Sequence, residues 1–322
     1  MRAVVFTGAG GPEVVEVQER PDPVPGTGEV LVEPTHAGLN PADLSQRAGN
    51  YPAPPGSPKD VPGLEVAGRV VECGPGVNRW SVGDRVFGII GGGGMASRVA
   101  VHELHVAPVP ERLDDREAAA VPEAFITAHD AIVSQAGLQS GELLLVNGAS
   151  GGVGSAAVQI ALAMGARVLA GVRSVDSDAA ARLHELGAEP VDTATTVERA
   201  RAGGGADVIL ELIGGPNLAM NLDAAARKAR IMIVGVGAGP EAELSLRALM
   251  SKRLRLTGTM LRARPLHEKA LAVAAFERSV VPLLATGVMR PYVDRVFPMD
   301  DAVAAFDHLA APGKFGKVLL EV

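Results

Sequence analysis

Cysteine is almost absent from this chain: Cys73 is the only one in 322 residues. A lone cysteine excludes an internal disulfide and a cysteine-ligated zinc cluster, and it suits a reducing compartment. Basic excess is also lacking, because 30 Lys and Arg against 37 Asp and Glu leave a formal charge of −7. Non-specific nucleic-acid binding needs a basic face, so no nucleic-acid partner is expected. No run approaches the ~18 consecutive apolar residues of a membrane span, so no membrane partner is expected. Residues 1–7 read as a strand rather than a secretory leader, and the expected location is the cytoplasm. The seven histidines are scattered, none in the His-x3-His spacing that puts two metal ligands on one helix face. His102 and His105 are three apart but follow a strand-like run, and they read as surface residues. Aromatics make up 3%, so a loop aromatic stands out, and Tyr51 is one of only two tyrosines.

What is present is globular. Apolar residues reach 47% and charged residues 21%, enough for real cores, and the length suggests two domains. The first ~120 residues read as short strands at Arg2–Phe6, 14–18, 29–36 and 65–72, punctuated by Gly and Pro. Residues 50–62 hold five prolines and predict an ordered surface loop or lid. The four glycines at 91–94 predict a flexible stretch. From Pro122 the texture changes. Strands at Leu143–Asn147, 167–172, Glu189–Val191, 207–212, 230–236 and 253–260 alternate with helices at 153–164 and 178–186. Such alternation implies a parallel sheet with right-handed crossovers. A helical stretch over 265–285 and a strand-rich tail ending in 317–322 follow, and the tail is expected to fold back onto the first domain. The expected fold is therefore α/β. A β-rich domain comes from 1–122 and 262–322, and a doubly wound Rossmann domain from 123–261.

The sharpest motif is Leu-Leu-Leu-Val-Asn-Gly-Ala-Ser-Gly-Gly-Val-Gly at 143–154. Ala149, Gly151 and Gly154 occupy the small-residue frame of a dinucleotide turn. The first makes the tight turn, the second lets backbone approach a pyrophosphate, and the third lets the helix pack on the strand. Ser150, Gly151, Gly152, Val153 and Gly154 are the candidate pyrophosphate contacts, at a helix N-terminus with free N–H groups. An NAD site places Asp or Glu at the end of the second strand to bind the ribose diol. Here that strand ends Ala-Gly-Val-Arg-Ser at 170–174, and the first acid is Asp176 beyond it. Arg173 and Ser174 suit a 2′-phosphate instead, which predicts NADPH; an ordinary surface arginine is the alternative. Gly235, Val236 and Gly237 end a parallel strand, where such cofactors bind.

The chain resembles the zinc-free quinone oxidoreductase branch of the medium-chain dehydrogenase/reductase superfamily. The resemblance rests on Gly-Leu-Asn-Pro-Ala-Asp-Leu at 38–44 and its continuation to Tyr51, Pro-Gly-Leu-Glu-Val-Ala-Gly at 62–68, and Val-Gly-Asp-Arg-Val at 82–86. Val-Pro-Glu-Ala-Phe-Ile-Thr-Ala at 121–128, residues 148–159 and Gly-Lys-Val-Leu-Leu at 316–320 extend it over nearly the whole chain. It implies a GroES-like catalytic domain built from both termini, with the cofactor domain inserted between them. Zinc enzymes of the superfamily carry a Cys ligand where Asn40 stands and Gly-His-Glu where Gly63, Leu64 and Glu65 stand. Two replaced ligands remove the catalytic metal site, so no metal is expected.

The resemblance also implies site residues. Asn40 falls beside the nicotinamide, or is only a turn asparagine. Tyr51, in the proline loop, stacks on a quinone or donates a hydrogen bond to a reduced oxygen, or only anchors the loop. Thr127 packs near the nicotinamide, or merely starts a helix. Lys317 is a cofactor or interface contact, and Glu65 a structural partner for a buried backbone group or an arginine rather than a base. The expected activity is NADPH-dependent reduction of a quinone by hydride transfer. The alternatives are an enone or enoyl reductase, or an NADPH-binding protein with little turnover. A homodimer is expected through strand 253–260, as the last of the sheet and hence an edge.

Overall fold

β1 (Arg2–Phe6) buries four of its five residues and pairs antiparallel with β2 (Val15–Glu19). Two strands replace the single one expected over 29–36: β3 (Glu29–Pro34) and β4 (His36–Leu39) enter different sheets. Pro34 has no N–H with which to continue a ladder, so the break falls there. α1 (Pro41–Arg47) begins with proline at its first position, and Asp43 Oδ2 reaches back to accept the Asn40 N–H at 2.8 Å. β5 (Glu65–Cys73), β6 (Arg85–Ile89), β7 (Val99–His102) and β8 (Val106–Pro108) join β3 in an antiparallel sheet of order β7-β3-β5-β6-β8. α2 (Asp115–Ala119) and α3 (Pro122–His129) follow.

The structure is a computed structural model that describes residues 1–322. They form two units, Met1–Ile126 with Leu261–Val322, and Thr127–Met260. The division falls within α3, a few residues from the expected joins at 122 and 262.

The second unit is built on β9 (Leu143–Asn147), α4 (Gly152–Ala163), β10 (Arg167–Gly171), α5 (Asp178–Glu185), β11 (Glu189–Val191), α6 (Thr196–Ala202), β12 (Ala206–Glu211), α7 (Leu218–Ala224), β13 (Ala225–Ile233), α8 (Leu246–Lys252) and β14 (Arg255–Gly258). Its six strands are all parallel, in the order β11-β10-β9-β12-β13-β14. Every residue of β9 is buried, as the unbroken apolar run of a central parallel strand requires. The order reverses between β9 and β12, so the switch point lies at Asn147 and Glu211.

The chain then returns to the first unit with α9 (Leu266–Ser279), α10 (Val281–Ala285), β15 (Val293–Pro298), α11 (Ala302–Ala310) and β16 (Lys317–Glu321). Pro282 near the start of α10 divides the helical stretch expected over 265–285, since it cannot donate to the preceding turn. β16 pairs antiparallel with β4, which folds the tail back onto the N-terminal part. No helix is long and apolar enough to cross a membrane.

The glycine run 91–94 is a correction to the sequence reading. All four glycines are buried. A Cβ on Gly91 would meet Pro54 Cγ at 2.9 Å, one on Gly92 the Pro58 carbonyl oxygen at 2.9 Å, and one on Gly94 the Gly63 carbonyl carbon at 3.1 Å. Glycine serves here to let the proline loop pack against backbone, not to loosen the chain.

Candidate active site

β9 enters the turn at Gly148, whose φ of +86° favours glycine. The turn is tied to the next strand, as the Ala149 N–H donates to the Gly171 carbonyl at 3.1 Å. A Cβ on Gly154 would lie inside contact of the Gly148 carbonyl oxygen and 2.7 Å from Ala149 Cα, so the third glycine is what lets α4 close on the turn. Gly151 behaves differently. Its φ of −73° suits any residue, and a Cβ there would meet nothing nearer than 3.7 Å. The protein does not need glycine at that position for its own packing. Gly151 is also the N-cap of α4, and no side chain caps the helix. The first-turn N–H groups of Gly152, Val153 and Gly154 therefore keep their donors for something else. Ser150 lies half-buried between the two glycines.

Arg173 and Ser174 lie just past β10, after Val172, and are exposed, and Arg173 makes no bond within the chain. Ser174 Oγ accepts the Asp176 N–H at 3.2 Å and keeps its own proton. Gly235, Val236 and Gly237 lie just past the end of β13 rather than in it. A Cβ on Gly235 would meet the Leu212 carbonyl carbon at 2.8 Å, whereas one on Gly237 would meet nothing within 4 Å. Thr127 is buried, and its hydroxyl has no hydrogen-bond partner. An open glycine cradle, an uncapped helix and an orphaned buried hydroxyl on one unit fit a phosphate-bearing dinucleotide.

The first unit holds a buried polar cluster. Glu65, at the start of β5, has 1% exposure. Its Oε1 accepts from Lys317 Nζ at 2.6 Å and Asn40 Nδ2 at 2.9 Å, and its Oε2 from the Glu123 N–H at 2.9 Å. Gly38 leaves the room, since a Cβ there would stand 2.7 Å from Glu65 Cδ. Lys317 gives its remaining protons to the Leu39 carbonyl at 2.9 Å and Asn40 Oδ1 at 2.6 Å. Its three donors are thereby engaged inside this unit. That placement corrects the reading of Lys317 as a cofactor or interface contact: the ammonium is buried and needs Glu65 to neutralise it. Asn40 keeps one amide hydrogen. Asp43 accepts only the N–H groups of Asn40 and, at 3.2 Å, Gly63; burial raises its pKa to about 6.

Tyr51 is half-buried in the proline loop. Arg262 holds it in place, donating to its carbonyl at 2.9 Å with the guanidinium 4.9 Å from the ring centroid. Arg262 also donates to the Gly91 carbonyl at 2.8 Å and Gln46 Oε1 at 2.5 Å. Burial, followed by the charge of Glu123, raises the pKa of the Tyr51 hydroxyl, which bonds to nothing in the chain. Asn40, in the Glu65 cluster, and Tyr51, held by Arg262, thus lie on one unit, while Thr127, 150–154, 173–174 and 235–237 lie on the other.

Sequence reading missed three residues. Glu123, in the first turn of α3, looks like an acid placed to favour a helix start. Its carboxyl is half-buried without a hydrogen-bond donor, and burial, then repulsion from Glu65, raises its pKa to about 8. Arg262 carries no motif. Glu211, at the switch point, is wholly buried and is met by the N–H groups of Ile213 and Gly214 and the amides of Asn147, Asn217 and Asn221. Cys73 donates to the Trp80 carbonyl at 3.6 Å and burial raises its pKa. His105 bonds the Leu266 carbonyl, and the fold gathers no three His, Cys, Asp or Glu side chains into a group that could hold a metal.

Two family models match the chain: an alcohol dehydrogenase GroES-like domain over residues 26–111 and a zinc-binding dehydrogenase over 152–277. Quinone oxidoreductase of Sus scrofa is 33% identical, across 99% of this chain and 97% of its own length. Among solved structures, Escherichia coli quinone oxidoreductase complexed with NADPH is 26% identical with a TM-score of 0.88, covering all of both chains. An NAD-dependent alcohol dehydrogenase is 32% identical with a TM-score of 0.86, again over both whole chains. The chain belongs to the medium-chain dehydrogenase/reductase superfamily, in its quinone oxidoreductase branch.

Proposed function

We propose that this protein is an NADPH-dependent reductase that delivers hydride to a quinone without a metal. The observation that carries the reading is the contrast within the glycine turn. Gly154 is demanded by the protein's own backbone, whereas Gly151 stands open beside an uncapped helix. Residues 150–154 would hold the pyrophosphate by backbone N–H groups. Arg173 and Ser174 would hold the 2′-phosphate, the contact that separates NADPH from NADH. Thr127, Val236 and Gly237 would take the nicotinamide end, with the orphaned Thr127 hydroxyl finding its partner there. The cofactor supplies a hydride from its nicotinamide ring.

The first unit supplies the acceptor's contacts: the free amide hydrogen of Asn40 and the free hydroxyl of Tyr51, both donors suited to an oxygen that gains negative charge. Metal independence is supported by the donor set. Where zinc enzymes of the superfamily place cysteine and histidine ligands, this chain places the amide of Asn40 and the buried side chain of Leu64.

The test is NADPH oxidation against a panel of quinones and a panel of enones, with products identified. Quinones giving hydroquinone and NADP⁺ support the reading. Turnover of enones alone makes the protein a conjugated-double-bond reductase, and NADPH binding without turnover on either panel makes it a binding protein.

A further inference from the structure

We infer that Glu123 is a catalytic acid of this site, donating the proton that the reduced acceptor takes up after the hydride. The inference rests on the reductase reading above and adds a residue to it.

The position comes from the buried cluster. The backbone N–H of Glu123 is fixed by Glu65 Oε2, and Glu65 Oε1 is in turn bonded to Asn40 and Lys317. One hydrogen-bonded group thus joins the Glu123 backbone to Asn40, and Glu123 lies near enough to Tyr51 for its charge to add to the effect of burial in raising the pKa of that hydroxyl. The two acceptor contacts and Glu123 therefore belong to the same part of the first unit.

The chemistry comes from what surrounds the carboxyl. The charged and titratable groups facing it are Glu65 from β5, Asp43 from α1, Lys317 from β16, Lys269 from α9, Arg262 from the segment before α9, and Tyr51 from the proline loop. Lys317 has all three donors engaged elsewhere. Lys269 bonds the Arg262 carbonyl at 3.0 Å, and Arg262 itself bonds Gly91, Tyr51 and Gln46. No cation pairs with Glu123, and two neighbouring acids oppose its ionisation. Such a carboxyl holds its proton through neutral pH, as its raised pKa of about 8 expresses. A protonated carboxyl that is only half-buried can give that proton away and recover it from water.

The step balances. The acceptor gains a hydride with its electron pair and becomes an oxyanion, reduced by two electrons. The O–H bond of Glu123 breaks, its proton goes to that oxygen, and the carboxylate is reprotonated by solvent. Electrons come only from the nicotinamide, so no further reductant is needed.

The experiment has two arms. In the first, infrared difference spectra of the nucleotide-free protein are recorded across pH. The expected result is a protonated-carboxyl band that disappears with a midpoint near pH 8 in the wild type and is missing from Glu123→Gln. In the second, kcat is measured against pH at saturating NADPH. Wild-type kcat is expected to fall above about pH 8 as the acid ionises. Glu123→Gln should lose roughly 100-fold and the alkaline limb with it, at unchanged NADPH affinity, and Glu123→Asp should restore part of both. A missing band, or Glu123→Gln with the wild-type rate and limb, overturns the proposal alone. A wild type that turns over neither quinones nor enones overturns the reductase reading and this proposal with it.

Discussion

Two alanine substitutions three residues apart should do opposite things. At Gly154 the added methyl enters backbone: the Gly148 carbonyl oxygen and, at 2.7 Å, Ala149 Cα. No flexible side chain can give way, so either the turn or the first turn of α4 must shift. Overpacking costs about 1–3 kcal/mol, and with two backbone atoms opposing it the upper end applies. A loss of ~3 kcal/mol corresponds to a fall in Tm of roughly 6–12 °C. At Gly151 the methyl meets nothing nearer than 3.7 Å, and the φ of −73° is open to alanine. The weaker N-cap and the lower entropy of the unfolded chain offset each other, leaving stability within about 1 kcal/mol of wild type.

That methyl projects where the pyrophosphate is expected. A clash costing ~2 kcal/mol there weakens NADPH roughly 30-fold. Thermal unfolding and NADPH fluorescence titration of both variants read the two effects separately. Gly151→Ala binding NADPH as tightly as wild type would refute the assignment of this turn to a dinucleotide. Gly154→Ala melting with the wild type would refute the packing argument.

Other outcomes follow from the same geometry. Arg173→Ala removes an exposed guanidinium with no partner in the chain, so stability should not move; NADPH affinity should fall about tenfold to a hundredfold while NADH is unaffected. Equal losses for both nucleotides would remove Arg173 from the site. Dialysis against a strong chelator should leave NADPH-dependent turnover intact, and one tightly held zinc per chain by elemental analysis would contradict the donor-set argument. All four residues of β14 are exposed at the sheet edge, with Met250 and Met260 exposed nearby, so light scattering at micromolar concentration should report a homodimer; a monomer would show that this edge is tolerated unpaired.

Where local chemistry dictates structure, the sequence was legible. Leu143–Asn147 and the turn after it could be read because an unbroken apolar run and a glycine frame each have few alternatives. The edge position of the last parallel strand followed from strand order alone. Readings failed where partners come from far along the chain. Residues 91–94 looked flexible because nothing local says that a proline loop thirty residues earlier closes over them. Lys317 looked available because Glu65 and Asn40, over 250 residues away, cannot be paired with it by spacing. Glu123 was hidden for the same reason: at a helix start it is an ordinary acid, and only the folded neighbourhood withholds a donor from it.

Four carboxylates in this protein are distinguished by what meets them. Glu211 has three side-chain amides and two backbone N–H groups around it, enough to anchor the end of β12 to β9 and to the following turn. Glu65 has an ammonium, an amide and a backbone N–H, and it joins β5 to β4, β16 and α3. Asp43 has two backbone N–H groups and no directly bonded cation, and desolvation outweighs them. Glu123 has no donor at all. Each donor lost removes stabilisation from the charged form, while burial keeps penalising it. An acid ringed by donors is held in place. An acid with none, at the border of solvent, keeps its proton until something more basic is bound, and an oxyanion formed by hydride addition is such a group.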